Sequence, residues 1–217
     1  MLENVGRNVN RYRPLWYPQS SSAGTKPRFR LEGEELVLVP QPFASQEQLI
    51  AAVRDGSVIE RIAEHEYWLE RPSVPTGRLS SFARLLCANS AIQARKPDRI
   101  WSDASGEPFR VTVAVLEAFH REALASGART APVLIFPTRE ALISRCADEP
   151  RFWEGMRREL EQRGVPYLDL TDPLAEYARR EHGGDANPLY TDKNHLTGPA
   201  NEVVAVALQE RLTAEQP

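Results

Sequence analysis

Cysteine is scarce in this sequence of 217 residues. Cys87 and Cys146 are the only two, and they do not form a Cys-x-x-Cys pair. Two isolated thiols exclude a disulfide framework and a cysteine-based zinc site, so we expect both to be buried and reduced. Nothing in the sequence indicates a cofactor, and we expect neither a cofactor nor a bound metal.

Long apolar runs and an excess of positive charge are also absent. No run approaches the roughly 20 apolar residues that a helix needs to cross a bilayer, and the first residues do not resemble a signal peptide. The formal net charge is -3, and lysine and arginine lie scattered among acidic residues. We therefore expect no membrane span and no nucleic-acid partner. The chain as given is expected to be cytoplasmic, although a full-length parent could be exported.

The second half of the sequence alternates between helical and strand patterns. Apolar residues at helical spacing predict helices near 115–123, 152–160 and 200–212, whereas the continuous apolar runs 133–136 and 165–170 predict buried strands. Asp172-Pro173 opens a further predicted helix, which Gly183-Gly184 ends, and Thr197 is the predicted cap of the last one. Such alternation is typical of a parallel sheet with right-handed crossovers.

The first half is less regular. Alternating residues at 28–31, a polar turn at Gly33 and the apolar run 36–39 predict a β-hairpin. Helices are predicted over about 46–54, 58–69 and 79–94, and residues 95–107 read as a polar connector. The first two of these helices follow capping-box patterns, Ser45 with Gln48 and Ser57 with Glu60.

We expect residues 1–217 to form one domain, because the length and the 41% hydrophobic content suit a single core. Residues 15–107 look like an insertion, and 108–217 form the α/β core. Two parallel strands are too few for such a sheet, so 133–136 is expected to pair with a strand from outside this sequence. A partner chain or self-association through the exposed sheet edge is the implied interaction.

Asp192 and His195 form the chemically most usable pair in the sequence. Residues three apart can lie side by side, so the Asp192 carboxylate could orient the His195 ring as a general base. Two other interpretations stay open. The pair could be an ordinary surface or capping pair, or it could bind a metal together with His182 and Asp185.

The run 192–195 and its continuation 196–201 into a terminal helix resemble the last block of the SGNH or GDSL-type esterases and acylhydrolases. The strand patterns at 132–138 and 164–170 and the early segment 3–14 extend the resemblance along the chain. It implies a three-layer, flavodoxin-like α/β fold with a parallel sheet, here incomplete and carrying a helical and β-hairpin insertion. It also implies that Asp192 orients and His195 deprotonates the serine of a Ser-His-Asp triad.

The family's Gly-Asp-Ser nucleophile motif is missing from this sequence. Ser57 and Ser105 are the nearest serines to consider, and neither follows a predicted strand. The family's oxyanion asparagine follows its third strand, and Asn4 is the nearest match. The resemblance therefore implies that the first strands and the nucleophile lie outside the 217 residues.

Other polar and aromatic residues have a structural and a functional interpretation. His65 and His120 fit packing or surface positions, while the aromatic residues could line an acyl or sugar pocket or simply fill the core (Trp16, Tyr17, Tyr67 and Trp68). Arg139, directly after the first predicted parallel strand, could hold a substrate carboxylate or pair with an acidic side chain.

Two hypotheses of different class follow. In the first, the chain supplies the Asp-His part of a hydrolase of carboxylic esters, such as an acetyl group on a carbohydrate. In the second, it is an inactive fragment or pseudoenzyme that binds a carbohydrate or a protein.

Overall fold

The computed structural model describes residues 2–12, 24–70, 93, 95–192 and 194–214. The chain is a mixed α/β protein that divides into two compact units. One unit comprises Asn4–Val115, and the other comprises Leu116–Pro217 together with Met1–Glu3. The helix predicted over 79–94 lies almost wholly outside the described residues, as do Trp16, Tyr17 and Cys87.

The unit Asn4–Val115 contains the predicted β-hairpin. Its strands are β1 (Arg28–Glu32) and β2 (Glu35–Val39), which pair antiparallel from Arg28 opposite Val39 to Glu32 opposite Glu35. Gly33 in the turn has φ +66, a left-handed conformation that glycine adopts without the steric cost of a Cβ atom. The prediction of a hairpin is confirmed.

Short helices make up much of the rest of this unit. After a 3-10 helix at Leu2–Arg7 and the hairpin come α1 (Gln46–Asp55), α2 (Val58–Ala63), α3 (Tyr67–Glu70) and α4 (Pro97–Ser102). Ser45 caps α1 as predicted, since its hydroxyl accepts the Gln48 N–H at 3.4 Å. The cap predicted for Ser57 is wrong, because its side chain makes no capping bond and its N–H donates to Asp55 instead.

Two predictions for this region need correction. A single helix over 58–69 is wrong, because the chain leaves the helix between α2 and α3 and there turns Glu66 into the interior. A purely polar connector over 95–107 is also wrong, since α4 forms there with Pro97 at its start and buries Ile100 and Trp101. Both side chains are buried although the stretch around them is polar, and Trp101 packs edge to face against Phe109.

Charged residues are buried in this unit alongside an apolar cluster of Tyr12, Phe43, Leu49, Ala52, Val58 and Ile62. Glu66 is 0% exposed, and its oxygens accept the backbone N–H groups of Arg11 (2.6 Å), Tyr12 (2.9 Å) and Trp68 (3.3 Å). Arg28, also buried, donates to the Val9 carbonyl and pairs with Glu107 at 2.9 Å. These bonds offset the cost of removing the charges from water.

The long helix α5 (Glu107–Ala125) includes the boundary between the units at Val115 and Leu116. The unit Asn4–Val115 is called the first unit below, and the unit that contains Leu116–Pro217 the second. The second unit then contains β3 (Val133–Ile135), α6 (Arg139–Cys146), α7 (Glu154–Gln162), β4 (Tyr167–Asp169), α8 (Thr171–His182), a 3-10 turn at Asn187–Leu189 and α9 (Gly198–Ala214). This order contains the predicted alternation, but α6 was not predicted, since a single helix was expected between the two strands. The strands are shorter than the apolar runs suggested.

The two strands of the second unit run parallel, with Val133 opposite Tyr167 and Ile135 opposite Asp169. Within the described residues β3 pairs with β4 alone. The flavodoxin-like arrangement of a larger sheet therefore stays a prediction.

A buried apolar cluster holds α6, α8 and α9 around the sheet. Its buried members come from these helices, from the residue directly before α8 and from the segment between α8 and α9 (Leu142, Leu170, Leu174, Ala175, Ala178, Ala186, Leu189, Tyr190 and Ala200). Val203, Val204 and Ala207 of α9 pack against it, as their spacing predicts, whereas Leu212 at the far end is 39% exposed. None of the helices in the described part of the chain is long and apolar enough to span a membrane.

Candidate active site

The carboxyl end of β3 begins the candidate site. After β3 the chain passes Pro137 and enters α6, where the Thr138 hydroxyl accepts the Ala141 N–H at 3.1 Å and caps the helix. Arg139 is the first residue of α6. A capped helix start directly after a parallel strand fixes these side chains at the edge where α/β folds collect functional groups.

A tight loop carries Asp192 and His195. Tyr190 and Leu196 form an antiparallel bridge, and the Thr191 N–H donates to the His195 carbonyl at 2.8 Å. Asn194 has φ +58, a left-handed conformation that asparagine tolerates better than most residues. The loop is thus closed at its base by backbone bonds.

Two side chains attach this loop to the end of β3. The Tyr190 hydroxyl donates to the Pro137 carbonyl at 3.1 Å, and Arg139 Nη2 donates to the Thr191 carbonyl at 2.6 Å. The Arg139 guanidinium also lies over the Tyr190 ring, 5.6 Å from its centroid. Burial, with a smaller effect of Glu140, raises the pKa of Tyr190, so the hydroxyl stays protonated and keeps its donor role.

Asp192 and His195 both lie on the exposed side of the loop. The His195 N–H donates to the Thr191 hydroxyl at 3.3 Å, which orients its backbone. Among the described residues, no hydrogen bond or ion pair joins the Asp192 carboxylate to the His195 ring. The structure thus brings the two predicted catalytic residues onto one five-residue loop without the bond that an orienting carboxylate would make.

The acidic residues after β4 form an ion network with arginines. Asp169 accepts from Trp153 Nε1 and from the Thr171 N–H, both at 3.0 Å, and its side chain is only 8% exposed. Asp172 pairs with Arg145 at 2.8 Å and with Arg151. These carboxylates are occupied by partners within the fold, so we assign them a structural role.

Charge pairing decides the ionisation of Asp172. Partial burial by itself raises the pKa of the Asp172 carboxyl, but the hydrogen bond and charge of Arg145 and the charge of Arg151 outweigh it and leave the pKa below its ordinary value. Asp172 therefore stays ionised and ties α6 and the segment after it to the start of α8.

The candidate oxyanion residue and the two serines considered as nucleophiles lie in the unit Asn4–Val115. Asn4, the candidate oxyanion donor, is in the 3-10 helix Leu2–Arg7, and its Oδ1 is buried with no hydrogen-bond partner among the described residues. Ser105 donates to Asp103 at 2.7 Å in an exposed turn, and Ser57 precedes α2. The assignment of Asn4 stays a prediction.

Among the described residues, His65 and His120 contact neighbouring polar groups, and Tyr67 and Trp68 occupy packing positions. His120 Nδ1 lies 3.0 Å from the Ala131 carbonyl, and His65 lies 3.6 Å from Glu64. Tyr67 and Trp68 are each 8% exposed and pack edge to face at 4.9 Å. Their position favours the core interpretation over a substrate pocket.

The alternative of a metal site receives no geometric support from the described residues, in which no three His, Cys, Asp or Glu side chains are grouped closely enough to hold an ion. His182 packs against Tyr177 at 5.9 Å, and Asp185 accepts two bonds from Asn187. Cys146 is a free thiol whose pKa is raised by burial, which makes it less reactive.

Sequence reasoning missed the role of Tyr190. It is a buried residue that connects the loop to Pro137, and its position inside a polar run gave no periodicity to detect. The only available signal was a large aromatic residue directly before the Asp-x-x-His run. Its partner is 53 residues away in the chain, a distance that local patterns do not span.

Comparisons with models of protein families, with curated proteins and with solved structures found no match for this chain.

Proposed function

We propose that the chain supplies the Asp-His part of an SGNH-like hydrolase of carboxylic esters. In this proposal His195 takes the proton of a serine and later activates water, while Asp192 orients its ring. The finer proposal for the fold is the flavodoxin-like sheet of that family, in which β3 has a further neighbour. The substrate class is an acyl ester, such as an acetyl group on a carbohydrate.

The attachment of the loop to the carboxyl end of β3 is the observation that carries this proposal. Arg139 and Tyr190 hold the loop there through the Thr191 and Pro137 carbonyls. A base on such a loop lies beside the edge where a nucleophile following a neighbouring parallel strand would emerge. The exposed His195 ring is then accessible to a serine and a substrate.

Catalysis in this proposal requires two changes in the site. The Asp192 side chain must rotate to accept a hydrogen bond from one ring nitrogen of His195, leaving the other for the serine. The serine must come from outside the 217 residues, since no Gly-Asp-Ser occurs among them. A base without nucleophile and oxyanion donors loses most of the rate enhancement, so the chain by itself is expected to be weakly active or inactive.

A fluorophosphonate probe tests the assignment of the nucleophile on the purified chain. Such probes label an activated serine, and we expect none of the chain's serines to react, since Ser57 and Ser105 have no base assigned to them. Labelling of either serine that is lost on its replacement by alanine would place the nucleophile within this chain and contradict the proposal.

The pairing of β3 with β4 alone among the described residues favours a second function, that of a binding module. A parallel strand with an available edge can accept a strand from a partner chain. A stable monomer in size-exclusion chromatography, with the amide protons of β3 protected from exchange, would contradict dependence on a partner.

A further inference from the structure

Arg139 differs in its pairing from most arginines of its unit. The side chains of Arg121, Arg145, Arg151, Arg157, Arg163, Arg179 and Arg180 each pair with a carboxylate. Arg139 has no carboxylate partner among the described residues, although it is half-buried and adjoins the exposed Glu140. Arg129 and Arg158 also have none among those residues, but their side chains are exposed.

The bonds of Arg139 leave part of its guanidinium unused. One N–H donates to the Thr191 carbonyl, and the Nε is buried with no hydrogen-bond partner among the described residues. A guanidinium has five N–H donors in a planar fork that matches a carboxylate. Arg28 and Arg151 bury their Nε in the same way and still pair with carboxylates through the terminal nitrogens, so the terminal N–H groups of Arg139 are the donors that a bound anion would use.

Arg139 contacts the backbone of the loop that carries the candidate base. The Thr191 carbonyl and the Tyr190 ring hold the guanidinium on one side of the loop, and Thr191 is bonded through its N–H to the His195 carbonyl. A positive charge held there can orient an ester whose anionic group lies a short distance from the acyl carbon.

We propose that Arg139 recognises a carboxylate on the substrate, so that the ester acted upon is an anionic one. The hydrolysis of an anionic ester depends on the proposed function, whereas the binding of an anion by Arg139 does not. The carboxylate can lie on the alcohol side of the ester, as in an acetylated acidic sugar, or on the acyl side, as in a half-ester of a dicarboxylic acid.

Titration of the ¹⁵N-labelled chain tests the binding. Acetoxyacetate carries its carboxylate on the alcohol side and monomethyl succinate on the acyl side, and methyl acetoxyacetate and dimethyl succinate are their neutral counterparts. We expect saturable shifts of the Thr191, Asn194 and His195 amide signals with at least one anion and none with its neutral counterpart. Equal shifts with the neutral ester, or no shift with either anion, would overturn the proposal.

Variants separate charge recognition from support of the loop. Arg139→Lys and Arg139→Gln both lose the guanidinium fork, so any loosening of the loop is common to them, but only the lysine keeps the charge. We expect Arg139→Gln to weaken anion binding about tenfold or more, Arg139→Lys less, and the matched control Arg158→Gln not at all. An equal loss in the lysine and glutamine variants would contradict recognition by charge.

His195→Ala distinguishes this inference from the proposed function. We expect the variant to bind the anion as the unchanged chain does, because the guanidinium is untouched. Hydrolysis is measured after the chain is combined with the segment that supplies the serine. Anion binding without His195-dependent ester hydrolysis by that combined protein overturns only the proposed function, and hydrolysis that does not distinguish anionic from neutral esters overturns only the role of Arg139.

Discussion

At the scale of single residues, Glu66 shows how a charge is accommodated in the interior of the unit Asn4–Val115. Its two oxygens accept three backbone N–H groups, so the carboxylate replaces the water that those donors would otherwise need. The segment at Arg11 and Tyr12 is thereby joined to the start of α3. The side chain acts as a structural acceptor, and its burial does not by itself indicate catalysis.

Replacing Glu66 by alanine is expected to destabilise the protein by about 3 kcal/mol, because three backbone donors lose their acceptor in a buried site. Urea unfolding followed by tryptophan fluorescence measures the change. Glu60→Ala is the matched control, since Glu60 is exposed on α2 and its loss should cost less than about 0.5 kcal/mol. A Glu66→Ala variant as stable as the control would show that the three bonds contribute nothing net.

The ionisation of Glu66 makes the free energy of unfolding depend on pH. Burial raises the pKa of its carboxyl above the ordinary value of 4.5, against the opposing effect of the three hydrogen bonds and the charge of Arg28. Because the pKa of Glu66 is higher in the folded than in the unfolded state, Glu66 contributes to the free energy of unfolding below pH 4.5. This contribution is lost as the pH rises through the pKa of the folded state.

Glu66→Gln stays neutral and lacks this pH dependence. We therefore expect the variant to be less stable than the wild type at pH 4, by about 1 kcal/mol, and the difference to shrink as the pH increases to 8. Urea unfolding at a series of pH values measures it. A difference that grows with pH would mean that the carboxylate is stabilised, not penalised, by its surroundings.

At the scale of structural elements, the loop between α8 and α9 depends on contacts with the end of β3. The Tyr190 hydroxyl contributes one of them by donating to Pro137. Tyr190→Phe keeps the buried ring and removes that bond, so we expect a loss of about 1 kcal/mol and faster exchange of the Thr191 amide proton. Unchanged exchange would show that the backbone bonds of the loop hold it without the hydroxyl.

The ion pairs of Asp172 connect α6 and the segment that follows it to α8. Asp172→Asn is expected to cost about 0.5 to 1 kcal/mol at pH 7, a modest value because the Asp172 side chain is 46% exposed. Its pKa is depressed in the folded state, so this stability is present above the ordinary value of 3.8 and lost as the pH falls through the native value.

The unfolding free energies of the wild type and Asp172→Asn should therefore converge in acid. Glu202→Gln, an exposed change on α9, is the control and should show no such convergence. A difference that persists unchanged at about pH 2 would mean that Asp172 contributes through packing instead of charge.

The individual helices and strands show how much of the fold could be predicted from the sequence. Helical apolar spacing identified α7 and α9, and apolar runs identified β3 and β4, because their buried or half-buried side chains repeat within one element. The spacing also identified α5, but Phe119 of its predicted apolar face is 60% exposed, and the buried side chains of α5 lie nearer the start of the helix. The helix α4 was missed because it has only 6 residues and lies in a polar stretch. Of its residues, only Ile100 and Trp101 are buried. The acceptor role of Glu66 was missed because its partners lie 54 and 55 residues away.

At the scale of the whole molecule, the candidate site could be predicted only in part. The Asp-x-x-His run identified the loop, and the alternation of strands and helices identified the end of the sheet to which the loop is attached. The contacts through Tyr190 and Arg139 could not be predicted, since they join residues 52 and 53 positions apart. Local patterns describe elements, whereas a site is made by the packing between them.

In the proposed function, His195 acts as the general base for a serine outside the 217 residues. The most direct test joins the chain to the polypeptide encoded immediately upstream of Met1 and measures hydrolysis of p-nitrophenyl acetate. We expect that segment to contain Gly-Asp-Ser and the joined protein to hydrolyse the ester. His195→Ala and Asp192→Asn should each lower kcat by about 10⁴-fold, and His182→Ala, an exposed histidine on α8, should leave it unchanged. An upstream segment without a serine nucleophile, or ester hydrolysis that survives His195→Ala, would contradict this role of His195.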